Sequence, residues 1–358
     1  MAVIYRQEIL QDISLFTSEP KAKFYSDLFL NLDLSEISER TSKTGRRGFS
    51  NQAKLRAAIV MKCECFSCIT DLLDYLQNNL LIAHYCGFDI MKPLPSYWTL
   101  DRFINSLDND LLQNLMCSQV KKLYELGVID TSFIALDSTP IMANTFQNNP
   151  KSFKKNKFNP DNHPKSDKDC GLGVHTASNQ HNDQNFEFYW GYKNHVLVDC
   201  ITGLPIFELT TTADVADSTV ALDILNQTNS CLPLNECTFI ADKAYDVKAI
   251  YNTVKHLYNG NCAIPINKRN TKNPQKLPSG HPICEAGLAM NKDGKCYDND
   301  RVRQKYCCPF RQSNSSVCPC NHKNWNNGKK NRGCTKYITI PDDYRLSIDR
   351  ECISFKKI

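Results

Sequence analysis

Phe133-Ile134-Ala135-Leu136-Asp137-Ser138-Thr139-Pro140 and Thr238-Phe239-Ile240-Ala241-Asp242-Lys243-Ala244-Tyr245-Asp246 share one design: a short apolar run that delivers an aspartate at or just past its end. Runs of this length and composition predict strands. Being nearly all apolar, they predict strands buried on both faces, as inside a parallel or mixed sheet. An ionised carboxylate at such a strand end is costly unless something pairs with it. Two carboxylates at neighbouring strand ends repel each other unless a cation lies between them. The pair Asp137 and Asp242 therefore predicts a divalent-metal site. Taken alone, Asp137 also fits a turn or N-cap role ahead of Ser138-Thr139-Pro140.

At 358 residues the chain has room for two or three domains. A hydrophobic fraction of 41% supplies real cores. No run approaches 18 apolar residues, so no transmembrane helix is expected. Met1-Ala2-Val3-Ile4-Tyr5-Arg6-Gln7-Glu8 breaks its apolar start with charge, and no signal peptide is visible. The 18 cysteines then fit a reducing, cytoplasmic setting better than a disulfide scaffold. The net charge of +5 is mild, but it is unevenly spread. Residues 301–336 hold nine Lys or Arg and no acid, and residues 141–160 hold four Lys and no acid. Such blocks suit a polyanion such as DNA, or form solvated loops.

Residues 1–128 read as a helical bundle. Asn51 to Met61 has helical propensity and an apolar face. Ser67 is expected to cap a helix through Leu72, Leu73 and Leu76 to Tyr85, closed by Gly87. Thr99 is expected to cap the next, and Leu111 to Leu126 forms another, ending at Gly127. A basic loop, Lys43-Thr44-Gly45-Arg46-Arg47-Gly48, precedes the second helix. From residue 129 the period changes. After the first Asp strand, 144–186 reads as a long polar loop. Phe186 to Asp199 and Leu204 to Thr211 read as an antiparallel hairpin around Thr202-Gly203. Asp217-Ser218-Thr219 opens a helix, the second Asp strand follows, and helix 247–258 and strand 262–266 complete the unit. Residues 267–336 read as an irregular Cys-rich insertion, and 337–340 as a return strand.

The residues resemble the DDE-type transposases of bacterial insertion sequences. Gly45-Arg46-Arg47-Gly48-Phe49 through Pro95-Ser96-Tyr97-Trp98-Thr99-Leu100-Asp101-Arg102-Phe103 resembles the helical domain that precedes their catalytic core. Leu136-Asp137-Ser138-Thr139 is similar to the first catalytic Asp, and Ala241-Asp242-Lys243-Ala244-Tyr245-Asp246 to the second. Between them, Gly191-Tyr192-Lys193-Asn194-His195, Asp199, Thr202-Gly203-Leu204-Pro205 and Thr212-Ala213-Asp214-Val215-Ala216-Asp217 resemble the intervening hairpin and helix start. The ordered set implies an α/β fold: a ribonuclease-H-like mixed sheet preceded by an all-α domain. The expected organisation is a helical DNA-binding domain over 1–128, the first part of the catalytic core over 129–266, a Cys-rich basic insertion over 267–336, and a truncated return to the core over 337–358.

The same resemblance implies DNA cleavage and strand transfer with Mg²⁺ or Mn²⁺. Asp137 would bridge two ions about 3.5–4 Å apart and Asp242 would bind one. Element terminal repeats and target DNA are the implied partners, with a homo-oligomer on DNA and no membrane. Arg46, Arg47, Lys193 and His195 are the expected DNA contacts, the last two alternating on one strand face; an exposed strand face is the plain alternative. The family's third carboxylate, a Glu on a late helix, is not evident. Tyr344, Arg345 and Glu351 supply the residue types at another spacing, so the chain is expected to end before the catalytic Glu. A DNA-binding remnant that recognises ends without cutting, or an unrelated metal-dependent nuclease, are the other readings.

Seven cysteines, Cys284, Cys296, Cys307, Cys308, Cys318, Cys320 and Cys334, lie near His322. Thiolates suit zinc, but the window lacks paired Cys-x-x-Cys knuckles. Cys65 and Cys68 form such a pair, expected to be small buried side chains in the bundle.

Overall fold

The computed structural model describes residues 19–39, 48–153, 155–178, 184–267, 277, 281–298, 301–312, 334–339, 344–348 and 350. The chain divides into two compact units, Met1–Lys122 and Leu123–Ile358.

The first unit is helical: α1 (Pro20–Asn31), α2 (Asn51–Cys63), α3 (Ile69–Asn78), α4 (Leu80–Cys86), α5 (Tyr97–Asn105) and α6 (Asn109–Glu125), whose last turn crosses the boundary. Ser50 caps α2 by accepting the Ala53 N–H at 3.1 Å. Glu39 accepts the Asn51 and Gln52 N–H groups at 2.9 and 3.0 Å, so a carboxylate meets the positive end of the helix dipole. Leu72 and Leu76, four residues apart on α3, are fully buried with Val60, Ala83 and Leu100. The expected single helix from Ser67 to Tyr85 is broken at Asn79 into α3 and α4, and Cys68 is the N-cap. Gly87 does close α4, in the left-handed region at φ +101°, where a side chain would be strained. Ser96, rather than Thr99, occupies the N-cap position of α5, without a capping bond from its side chain; the two hydroxyls are 3.0 Å apart. Cys65 and Cys68 are exposed in the α2–α3 connection. The turn there, with Cys65 at φ 57°, aims neither thiol into the core, which corrects the expectation of a buried pair.

The second unit holds β1 (Phe133–Met142), β2 (Gly171–Ser178), β3 (Gln184–Asp199), β4 (Pro205–Thr212), α7 (Asp217–Cys231), β5 (Thr238–Ala241), α8 (Lys248–Leu257) and β6 (Asn261–Ala263). The strand order is β4-β3-β1-β5-β6: β1, β3 and β4 are antiparallel neighbours, while β5 and β6 run parallel to β1. This is the ribonuclease-H-like mixed sheet. Ile134, Leu136, Leu197 and Phe239 are buried in it. On α7, Val220, Ala221, Ile224, Leu225 and Thr228 form a buried stripe at helical spacing.

The stretch 144–186 is not all loop. β2 pairs with the outer half of β3, from Gly171 opposite Gly191 to Ser178 opposite Gln184. Gly191 is where β1, β2 and β3 crowd together; a Cβ there would lie 2.0 Å from the Ile141 carbonyl oxygen. The 267–336 region also contains strands, contrary to its irregular composition. β7 (Asn291–Asp298), β8 (Arg301–Cys307) and β9 (Thr335–Thr339) form a separate three-stranded sheet, with a short α9 (Pro309–Gln312) after β8. The chain continues to α10 (Tyr344–Ser347).

Candidate active site

Asp137 and Asp242 meet because β1 and β5 are adjacent and parallel. The pairing runs Phe133–Thr238, Ile134–Phe239, Ala135–Ile240 and Leu136–Ala241, so each aspartate is the next residue along its chain: Asp242 just past the end of β5, and Asp137 within β1, which continues to Met142 rather than ending at the aspartate as expected. Neighbouring strands lie about 4.8 Å apart. Both aspartates are exposed, whereas Leu136 and Ala241 behind them are buried. Asp137 Oδ1 accepts the Ser138 N–H at 2.8 Å. Asp242 caps a single 3₁₀ turn, Lys243–Tyr245, through Oδ1 and the Ala244 N–H at 2.8 Å. The Oδ2 atom of each accepts no hydrogen bond among the described residues.

Tyr245 lies three residues after Asp242, and its ring is buried with its hydroxyl unpartnered. Burial pushes its pKa up, and the negative charges of Asp217, Asp137 and Asp242 add to this.

Asp217 opens α7 and pairs with Lys193 Nζ at 3.0 Å, and Lys193 also donates to the Val215 carbonyl at 3.0 Å. His195 is fully buried, with Nε2 3.0 Å from Thr211 Oγ1 and Nδ1 unpartnered. Burial lowers its pKa, partly offset by Asp217, while Lys193 adds to the lowering. The face of β3 that carries both residues is therefore turned toward α7. This bears on the expected DNA contacts: His195 has no exposed surface with which to line a DNA channel, while Lys193 is partly exposed and paired with Asp217.

The segment after the insertion returns to the Asp242 turn. Asp246, buried four residues past Asp242, receives Arg345 on both carboxylate oxygens. Burial by itself raises the Asp246 pKa, but Arg345, the Asn267 N–H and the Tyr251 hydroxyl outweigh it and the pKa is lowered. Sequence reading missed the part played by Asp246, although a second aspartate closing Asp242-Lys243-Ala244-Tyr245-Asp246 was in view.

The donors at Asp137 and Asp242 are hard oxygens, which suit Mg²⁺ or Mn²⁺. Among the described residues no group of three or more His, Cys, Asp or Glu is arranged to hold a metal. Glu351, Arg46 and Arg47 lie outside the described residues, as do Cys318, Cys320 and His322 of the zinc expectation. Cys284, Cys308 and Cys334 are buried in one cluster with Met290 and Tyr306, packed as part of a small core.

Residues 129–312 match the family model described as "Transposase DDE domain". No curated protein matches the sequence. Among solved structures, the piggyBac transposase synaptic complex with hairpin DNA is similar at 13% identity, covering 80% of this chain and 58% of that chain, with a TM-score of 0.33. The Mos1 transposase paired-end complex with left transposon end is similar at 12% identity, covering 71% of this chain and 68% of that one, with a TM-score of 0.21. The chain thus spans 58% of the length of the piggyBac chain.

Proposed function

The chain belongs to the transposase DDE domain family, and from that premise we propose that it is the transposase of a bacterial insertion sequence, cutting and joining DNA at Asp137 and Asp242. The observation that carries the site assignment is the register. Two aspartates follow the Leu136–Ala241 pair of adjacent parallel strands, and each keeps one carboxylate oxygen unbonded among the described residues. Like charges this close favour a cation between them.

Asp137 and Asp242 would hold the divalent ion, Mg²⁺ or Mn²⁺. When bound, such an ion supplies Lewis-acid stabilisation of charge at phosphate and a more acidic water. The chain's own contribution is placement. The Ser138 and Ala244 N–H groups each hold one oxygen of these aspartates, leaving the other available to an ion. In cleavage a water oxygen displaces an oxygen at phosphorus; in strand transfer a DNA 3′-hydroxyl takes the water's place. The basic blocks at 141–160 and 301–336, with Arg46 and Arg47, would contact the backbone of the element ends and target DNA, and a homo-oligomer would bring two ends together. Zinc at the Cys-rich insertion is a separate proposal: Cys284, Cys308 and Cys334 lie buried together there, and thiolates are its preferred ligands.

A second reading is a binding remnant, and Glu351, the late carboxylate candidate, lies outside the described residues. No third carboxylate joins Asp137 and Asp242 in a metal-holding group among the described residues. A remnant that binds element ends without cutting them would have that property. Incubating the purified chain with Mn²⁺ and a fragment carrying the DNA that flanks its coding sequence separates the two. Nicking supports the transposase; binding without nicking supports the remnant.

A further inference from the structure

Asp246 is where both ends of the excursion between β6 and α10 are tied to the core. Its carboxylate accepts the Asn267 N–H at 2.7 Å from the near end. From the far end, 99 residues along the chain, Arg345 donates through Nε and Nη2. The contact with Asn267 reaches the Asp242 turn itself, because Asn267 Nδ2 donates to the Lys243 carbonyl at 3.1 Å.

These bonds belong to a closed ring. Tyr251 donates its hydroxyl to Asp246 Oδ1 at 3.0 Å. Arg350 Nη2 donates to that same Tyr251 oxygen at 2.9 Å, and its Nη1 donates to the Arg345 carbonyl at 3.0 Å. Arg350 Nε holds the Ile264 carbonyl at 2.7 Å, which fastens the ring to the end of β6. Arg350 and Asp246 are both almost wholly buried. A two-point Arg–carboxylate pair fixes direction as well as distance. The turn has little rigidity of its own: it is one 3₁₀ turn, a geometry with poor hydrogen bonds.

We propose that Arg345 is a positioning residue for Asp242: by clamping Asp246, it holds the Lys243–Tyr245 turn so that the Asp242 carboxylate faces Asp137. The inference rests on the metal site proposed above, and gives α10 a part in the chemistry that composition did not suggest. Arg345 itself touches no substrate. Its effect runs through Asp246 and Asn267 to the backbone of the turn, in the manner of the outer groups that orient metal ligands.

Two variants test it. Arg345→Lys keeps the charge beside the buried carboxylate and loses the two-point geometry. Arg345→Met combined with Asp246→Asn removes both charges, so that neither is left buried alone. Each is compared with wild type by amide hydrogen exchange and by Mn²⁺ titration followed by electron paramagnetic resonance. The expected result in at least one folded variant is faster exchange confined to 242–246, the Ala244 amide above all, with Mn²⁺ affinity reduced about 10–100-fold. Unchanged exchange at 242–246 with unchanged Mn²⁺ affinity overturns the proposal. So does faster exchange spread across the whole second unit at unchanged affinity, which marks a merely structural pair. Should wild type itself bind no Mn²⁺ while the turn still loosens selectively in a variant, the clamp stands and the metal-site reading falls.

Discussion

Asp137 and Asp242 stand opposite one another, one position beyond the last paired residues of two adjacent parallel strands, Leu136 and Ala241. The chain separates them by further strands and a helix, and the sheet returns them to one edge. Because their strands are parallel, both carboxylates leave at the same end. Leu136 and Ala241 behind them are buried; Asp137 lies within β1 opposite Val196 of β3, and Asp242 just past the end of β5. The site is thus a product of topology: reversing β5 would carry Asp242 to the far edge.

Asp199 is the strongest structural carboxylate of the hairpin. It is buried and accepts the Ile201 N–H at 2.8 Å, the Thr202 hydroxyl at 2.7 Å and the Asp130 N–H at 3.1 Å. Asp199→Ala strands these donors, and the expected cost is about 3 kcal/mol. A denaturant titration checks it; a loss near zero would show that the hairpin is held elsewhere.

His195 predicts a pH dependence of stability. Burial holds its folded pKa below the unfolded value, so the unfolded chain binds the proton first as pH falls. Its contribution is complete above the unfolded pKa, about 6.5. It declines as pH falls from there through the folded pKa. The thermal midpoint should therefore begin to drop below about pH 6.5, before the carboxylates titrate. His195→Gln, which keeps a polar group toward Thr211, should remove that early limb and leave the acid limb in place. Melting curves taken from neutral to acid pH decide it, and an early limb that survives the substitution would assign it to another group.

The basic insertion predicts a salt dependence. Replacing Lys323, Lys329, Lys330 and Arg332 with Ala should weaken DNA binding on all sequences alike. The slope of log affinity against log salt should flatten by about 0.9 for each phosphate that is no longer neutralised. An unchanged slope would make the block a solvated loop.

The sheet core and its two aspartates were legible because an apolar run of strand length precedes each, but β1 and β5 bury alternate residues, Ile134 with Leu136 and Phe239 with Ala241, so one face of each is buried rather than both as expected. β2 was hidden. Gly171-Leu172-Gly173-Val174-His175-Thr176-Ala177-Ser178 has no strong period and is ordered by pairing along β3. β7 and β8 were hidden for a similar reason, since Lys, Asp, Gly and Arg fill strands held by their backbone ladders. The Thr99 cap failed because the helix already begins at Tyr97, with Ser96 at the N-cap position but no capping bond from its side chain. Burial of His195 had no local signal: it depends on α7 packing over β3. The Arg345–Asp246 pair was equally out of reach, since its members are 99 positions apart and neither sits in a periodic segment.

Whether the two aspartates cut DNA is the central question, and one assay measures it directly. Wild type, Asp137→Asn and Asp242→Asn are each incubated with Mn²⁺ and the fragment that carries the DNA flanking the coding sequence, and both nicks and binding are scored. Both side chains are exposed, so the variants should fold and bind DNA as wild type does. Metal-dependent nicking is expected of wild type, and its loss, by about 100-fold or more, of each variant at unchanged binding. Nicking that persists in both variants, or binding by wild type without any metal-dependent nick, would contradict the assignment.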